Sequence, residues 1–272
     1  MRGYITPQQN YGVMMESSLK TRAREIFIQE GFISLIKSTI LYLRTVLYSR
    51  YIRAVEFMLL GSPTERQYID LNGVTVPVDK RILSRHVPFY QHPLPTKDDP
   101  TYEHIEAEAI KTYSHRGDNV VIIGGGLGVT AVIASRETSG IINVFEQSEE
   151  TYEILRGTVD HNDHPGEIKI HHTAVGKIGG SNFSRQPPTD IERTAPSNLP
   201  DADLYEMDCE GAETTILEQM EIRPQRLLIE THSNHEEVTD LLQNMGYQIL
   251  EIVSDGKGQH QDCTHIRAEY TK

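Results

Sequence analysis

The residues most able to do chemistry begin with a burst of glycine. In "VVIIGGGLGVTAVIAS", residues 120–135, four of the five residues from Gly124 to Gly128 are glycine. That costs backbone entropy unless the chain must approach something closely or take dihedrals that glycine alone tolerates. A glycine turn from a strand into a helix lets a ligand come close to the amides at the helix start. Glu146 follows at the end of "INVFE", where a carboxylate can accept hydrogen bonds from ribose hydroxyls. The spacing inside the turn separates two ligands. Gly124, Gly126 and Gly128 give GxGxG, and Val129 stands where the dinucleotide fingerprint needs a small residue. The turn therefore favours a nucleoside without a pyrophosphate, such as S-adenosylmethionine, and no YxxxK pair of the short-chain reductase type occurs.

The elements that must position these residues alternate. Asn119–Ile123 reads as a buried strand and Val129–Ser135 opens a helix. Ile141–Glu146 is a second strand, with Ser148 capping the helix after it. Glu167–His172 is a third strand, and residues 177–202, rich in Pro, Ser and Gly, form a loop. Leu204–Asp208 is a fourth strand with a helix behind it, and Arg226–Glu230 is a fifth. Ser233 and Glu236 make a capping box for a helix closed by Gly246. Tyr247–Val253 and a half-buried, alternating strand Thr264–Tyr270 end the pattern. Such alternation predicts an α/β fold, a mostly parallel sheet with covering helices. Before it, "TYEHIEAEAIKTY" is a short helix, and Asn72-Gly73 in "YIDLNGVTVPV" marks a hairpin. The expected division is a helical extension over 1–62, a hairpin and loop over 63–100, and the sheet domain over 101–272.

Charge bounds the partners. The net charge of −13 argues against nucleic acid, whose phosphates call for lysine and arginine. It is unevenly spread: residues 1–60 hold eight basic and four acidic side chains, for +4, leaving −17 for the rest. Residues 33–60 form a basic, amphipathic helical stretch that could lie on a membrane face, or pack on the main domain or a second copy of the chain. No run reaches the roughly 18 apolar residues of a membrane span, so the expected location is cytoplasmic, with peripheral membrane contact through that stretch. Cys209 and Cys263 have no CxxC partnering. His161, His164, His171 and His172 read as surface or loop residues, since no acidic set accompanies them. His86 and His92 fall in a loop that could cover an acceptor.

At "YEMDCEGAETTILEQM", residues 205–220, the chain resembles the FkbM family of S-adenosylmethionine-dependent methyltransferases, whose signature reads roughly "KIDVEGAE". "GDNVVIIGGGLGVTA", "VFEQS", "HTAVG" and "LLIETH" followed by "MGY" extend the resemblance over about residues 100–270. It implies a class I methyltransferase fold, Rossmann-like, with a seven-stranded sheet containing one antiparallel strand. It also implies methylation of an oxygen on a sugar or glycan-like acceptor. Carried over, Gly124, Gly126 and Gly128 border the cofactor's methionine part, Glu146 its ribose, and Thr173 and Ala174 its adenine. Asp208, Glu210 and Glu213 occupy the signature, which places Asp208 against the cofactor as well. Three positions depart: Ile122 replaces an acidic residue, Gln147 a proline and Glu206 a lysine.

A sugar hydroxyl is a poor nucleophile until its proton is drawn off. Beyond the carboxyl ends of the fourth and fifth strands, Asp208 and Glu210 fall beside Glu230 and His232. Asp208 or His232 is the expected general base, and Asp208 with Glu230 could instead hold a divalent metal. Glu210 and Glu213 could equally serve to cap the following helix. Two other readings compete: a binding protein that keeps the fold without catalysis, motivated by Ile122, and a nicotinamide-dependent oxidoreductase.

Overall fold

The computed structural model describes residues 66–79, 95, 97–176, 191–209, 211–232, 234–254 and 263–271. The helical extension expected over 1–62, with its membrane-facing stretch, and His86, His92, Glu210 and Ser233 lie outside them.

Two strands open the described chain, β1 (Arg66–Leu71) and β2 (Val74–Asp79). Asn72 and Gly73 between them both take positive φ, 52° and 78°, as a two-residue hairpin turn demands. An isolated hairpin is marginal in water. This one gains its stability by burying Leu71, Val74 and Val76 completely, each contributing about 1.5–3 kcal/mol. The remaining elements are α1 (His104–Tyr113), β3 (Val120–Ile123), α2 (Val129–Glu137), β4 (Ile141–Glu146), α3 (Glu149–His161) and β5 (Glu167–His172). They continue with β6 (Ala174–Val175), β7 (Arg193–Thr194), β8 (Leu204–Met207), α4 (Glu213–Gln219), β9 (Arg226–His232), α5 (His235–Asn244), β10 (Tyr247–Ser254) and β11 (Cys263–Tyr270). Ser148 caps α3 as expected, its hydroxyl accepting from the Thr151 N–H at 3.4 Å.

Seven strands form one sheet in the order β10-β11-β9-β8-β3-β4-β5. Strands β3, β4, β5, β8 and β9 run parallel, and β11 is antiparallel to both its neighbours. This is the seven-stranded, Rossmann-like sheet with one antiparallel strand that the resemblance implies. Both faces are covered, so every residue of β3 and of β8 is buried. One face, with Val120, Ile122, Val144 and Leu204, packs against α1, α2 and the hairpin. The other, with Val121, Ile123, Tyr205 and Met207, packs against residues of α4 and α5.

Three expectations need correction. Strand β11 is not half-buried: His265 and Arg267 are buried along with Ile266 and Ala268, because it is an interior strand and α1 contributes to covering its second face. The last helix begins at His235 with Asn234 as its N-cap, which makes no side-chain cap bond there; the Asn234 amide instead donates to the Glu213 carboxylate at 3.2 Å. The loop expected over 177–202 also contains β7, which pairs in parallel with β6.

Candidate active site

The glycine turn follows β3 at the carboxyl end of the parallel strands, where open α/β sheets place their ligands. The N–H groups of Gly124 and Gly125 both donate to the Phe145 carbonyl, at 2.9 and 3.1 Å. Gly124, Gly126 and Gly128 have φ of 93°, 50° and 88°, a region that L side chains rarely enter. At Gly124 a methyl group would stand 1.9 Å from the Asp208 carbonyl oxygen, so what approaches this glycine is the backbone leaving β8. Gly126 differs: the nearest atom to a methyl group there is a Glu103 carboxylate oxygen at 3.7 Å. A methyl group at Gly126 would therefore meet Glu103 and the Gly124 carbonyl only in ordinary van der Waals contact.

Glu146, at the end of β4, is buried and tied to the turn. One carboxylate oxygen accepts from the Gly126 N–H at 2.9 Å and the other from the Ser148 N–H at 2.6 Å. Burial raises its carboxyl above the usual range, and these backbone bonds oppose that rise. The Thr151 side chain and the Gln147 N–H bond the same carboxylate. Thr173 joins the same corner: its N–H donates to the Glu146 carbonyl at 3.1 Å, and its hydroxyl donates to the Glu192 carbonyl at 2.8 Å. Ala174 beside it is buried in the β6–β7 pairing.

Beyond β8 and β9 the structure brings together Asp208, Glu230, His232 and Glu213. His232 Nε2 stands 3.9 Å from an Asp208 oxygen and 3.5 Å from one of Glu230, while its Nδ1 is 3.8 Å from Glu213. Burial alone would raise the Glu213 carboxyl. Hydrogen bonds from His232, the Gly211 N–H and Asn234 outweigh it and hold Glu213 below the usual range. Glu213 is fully buried and so acts as the anchor of the imidazole and of the turn into α4. Burial, then the nearby Asp208 charge, pushes the Glu230 carboxyl upward.

Three participants were missed from the sequence. Tyr102 and Glu103 precede α1, and Glu106 lies in its first turn. Glu103, with φ of 46°, is bonded to the Tyr102 hydroxyl and to the Thr130 N–H at the start of α2. Desolvation, then the charges of Glu106 and Asp208, raises its carboxyl to about 8. Between about pH 4.5 and 8 the folded chain thus holds a proton that the unfolded chain releases, so this group's contribution to stability declines as pH rises through that window. Glu103→Gln is expected to flatten the pH dependence of the denaturant midpoint by about one proton's worth. Identical slopes for the variant and the parent would refute that.

Two of the three positions where the sequence departs from the resemblance also meet. Ile122 and Glu206 are cross-strand partners on β3 and β8, both buried on the α1 face. Ile122 sits within the apolar core. Of the histidines read as bystanders, His161 bonds the Tyr68 hydroxyl and the Gly157 carbonyl, and His164 faces the Gly166 carbonyl. His171 and His172 stack on Phe145 and Tyr152. Among the described residues, two groups have metal-binding donors within 4.8 Å of one another: Glu230, His232 and Cys263, and Glu106, Glu230 and His265. No described helix is long and apolar enough to cross a membrane.

The class that this fold defines is the Rossmann-like α/β type, a seven-stranded sheet with one antiparallel strand. No protein-family model and no curated protein matches the chain. Solved structures do. The M. jannaschii tRNA m1G37 methyltransferase matches with a TM-score of 0.49 at 12% identity, over 76% of this chain and 57% of that one. Trm5b from Pyrococcus abyssi matches with a TM-score of 0.48 at 11% identity, over 75% of this chain and 55% of that one. The N-methyltransferase NodS from Bradyrhizobium japonicum WM9 matches with a TM-score of 0.45 at 13% identity, over 62% and 95%. The chain thus spans little more than half the length of the first two.

Proposed function

We propose that the chain is an S-adenosylmethionine-dependent O-methyltransferase similar to the FkbM family, acting on a sugar or glycan-like acceptor, with residues 101–272 carrying the site. The observation that supports it best is the set of carboxyl groups around the glycine turn, of which Glu103 stays protonated below about pH 8. Glu103, Glu146 and Asp208 lie around the turn: Glu146 bonds the Gly126 N–H, Glu103 stands within van der Waals reach of Gly126, and the Asp208 carbonyl closes on Gly124. Such a lining suits a ligand bearing a sulfonium and an ammonium group. The two phosphates of a nicotinamide dinucleotide would meet like charge there, and like-charge juxtaposition is costly.

Gly124, Gly126 and Gly128 would border the methionine part, Glu146 the ribose and Thr173 with Ala174 the adenine, with Asp208 closing the site. Bound S-adenosylmethionine supplies a methyl group on a sulfonium, and alignment with the acceptor oxygen does much of the work. The protein's own task is to remove the hydroxyl proton. His232 Nε2, between Asp208 and Glu230 and anchored through Nδ1 by Glu213, suits that role, with Asp208 as the alternative base. A divalent metal on Asp208 and Glu230 is the other arrangement those groups could support. The net charge of −13 favours a small-molecule or glycan acceptor over nucleic acid.

Calorimetry tests the reading. Heat with S-adenosylmethionine and none with NAD is expected; the reverse would establish the oxidoreductase. His232→Gln should lower methyl transfer about 10²-fold or more while leaving cofactor affinity unchanged, as measured with a panel of sugar acceptors. Asp208→Ala should weaken both, and full transfer by that variant would remove Asp208 from the mechanism. Cofactor binding without transfer to any acceptor would favour the silent binding protein, and transfer to bulk tRNA would replace the acceptor class.

A further inference from the structure

We infer that the pocket between α1 and the β8–β9–β11 face is a binding site for a first-row divalent cation, zinc or manganese, held by Glu106, Glu206, Glu230 and His265. It shares Glu230 with the Asp208–Glu230 arrangement but lies on the α1 side of it, and it does not depend on methyl transfer. The sheet register assembles it. Glu206 pairs with Leu228, Glu230 lies two residues further along β9 on the same face, and His265 on β11 pairs directly with Glu230. Glu106 reaches the same pocket from the first turn of α1.

The donor atoms of Glu106, Glu230 and His265 all lie within 4.8 Å of one another, and His265 Nδ1 is 3.8 Å from a Glu106 oxygen. Ligand atoms around tetrahedral zinc, at about 2.1 Å from the ion, stand roughly 3.4 Å apart. Small side-chain rotations close the difference. Glu206 is a second and independent indication. It is 4% exposed, it lines the same pocket, and one of its carboxylate oxygens is buried without a hydrogen-bond partner. A buried carboxylate oxygen left unbonded is costly, and the pocket beside it, about 10 Å³, is the size of a single water or ion.

Charge favours the ion. Three carboxylates line the pocket against one guanidinium, that of Arg267. Its two terminal nitrogens bond Glu251 and the Ile105 carbonyl, and only its Nε, buried without a partner, is left to face the pocket. Protons shared among the carboxyls would leave the Glu206 oxygen unbonded, whereas a divalent cation takes up both the charge and that oxygen. Carboxylates with one imidazole suit zinc and manganese. Magnesium keeps several waters, which the pocket does not admit. The ion would lock α1, and with it Tyr102 and Glu103, onto the sheet.

The experiment uses the full chain, stripped with a chelator and titrated with Zn²⁺ and with Mn²⁺. One equivalent of either ion is expected to bind and to raise the thermal midpoint. Glu206→Gln and His265→Gln should each weaken binding by about tenfold or more. Glu206→Gln replaces a buried carboxyl, which burial holds well above the usual range, by an amide of the same shape, so its metal-free form should be at least as stable as the parent. Cobalt bound in place of zinc should show no thiolate charge-transfer band. No bound equivalent of zinc or manganese, or parent affinity in both variants, would overturn the site and leave a water between Glu206 and Arg267. A thiolate band lost in Cys263→Ser would also overturn it, assigning the ion to Glu230, His232 and Cys263.

Discussion

Gly124→Ala is expected to abolish stable folding, whereas Gly126→Ala folds and loses the cofactor. The two glycines are two residues apart and both have positive φ, yet they face different things. At Gly124 the added methyl group would lie 1.9 Å from the Asp208 carbonyl oxygen and 2.8 Å from its carbon. Backbone cannot swing aside as a side-chain tip can. Relief requires β8 to part from β3, breaking the bond from the Asp208 N–H to the Ile123 carbonyl in the middle of the seven-stranded sheet. The φ of 93° adds about 1–3 kcal/mol of strain, against a total stability of about 5–15 kcal/mol for a typical domain. At Gly126 nothing lies nearer than 3.7 Å, so alanine there costs about 1–2 kcal/mol for its left-handed backbone. Its methyl group would lie against the Glu103 carboxyl, on the surface where the proposed cofactor sits. Circular dichroism melts and calorimetry with S-adenosylmethionine separate the pair. A Gly124→Ala melt matching the parent would mean the turn can retreat from Asp208, and parent affinity in Gly126→Ala would place the cofactor elsewhere.

Legibility in the sequence followed how local each cause is. Asn72-Gly73 was readable because the turn's need for positive φ is met by those two residues alone. The glycines at 124, 126 and 128 and the capping Ser148 were readable for the same reason. Strand β11 was misread because alternation of polar with apolar residues was taken as exposure, whereas His265 and Arg267 are buried under α1. That helix is also where the site was missed. Glu103 and Glu106 lie some 20 residues before the glycine turn, and only packing brings them to it. A signal existed: Glu103, Glu106 and Ile110 fall at helical spacing, on the stripe that buries Ala107 and Ile110. Acids on an apolar stripe predict a buried polar site or a buried cost.

The departures at Ile122 and Glu206 look independent in the sequence, since 84 positions separate them. In the sheet they are one event, a cross-strand pair in which neither member carries positive charge. Ile122 is absorbed into the core, so its consequence falls on Glu206, left with an unbonded buried oxygen. The question raised by Ile122 therefore moves from the cofactor turn to the pocket under α1.

Arg226→Met is expected to destabilise the fold by about 3–5 kcal/mol, the usual result of removing one partner of a buried ion pair, without altering cofactor affinity. Arg226 opens β9, at the opposite end of the parallel strands from the glycine turn, and is 6% exposed. It donates to an Asp118 carboxylate oxygen at 2.9 Å and to the Tyr113 carbonyl at the end of α1, and it touches His115. The same Asp118 oxygen accepts from the His115 N–H at 2.7 Å. One guanidinium thus fastens the end of α1 and the entry to β3 onto the start of β9. Methionine fills much of the volume but leaves Asp118, itself buried, as an uncompensated charge. Adding Asp118→Asn removes that charge and should recover a substantial part of the loss, so the two substitutions are non-additive. Denaturant midpoints for the parent, both single variants and the double variant measure the coupling. Strict additivity would reduce the pair to a spectator, and a change in S-adenosylmethionine affinity below the unfolding transition would show that strain at this end of the sheet reaches the site at the other.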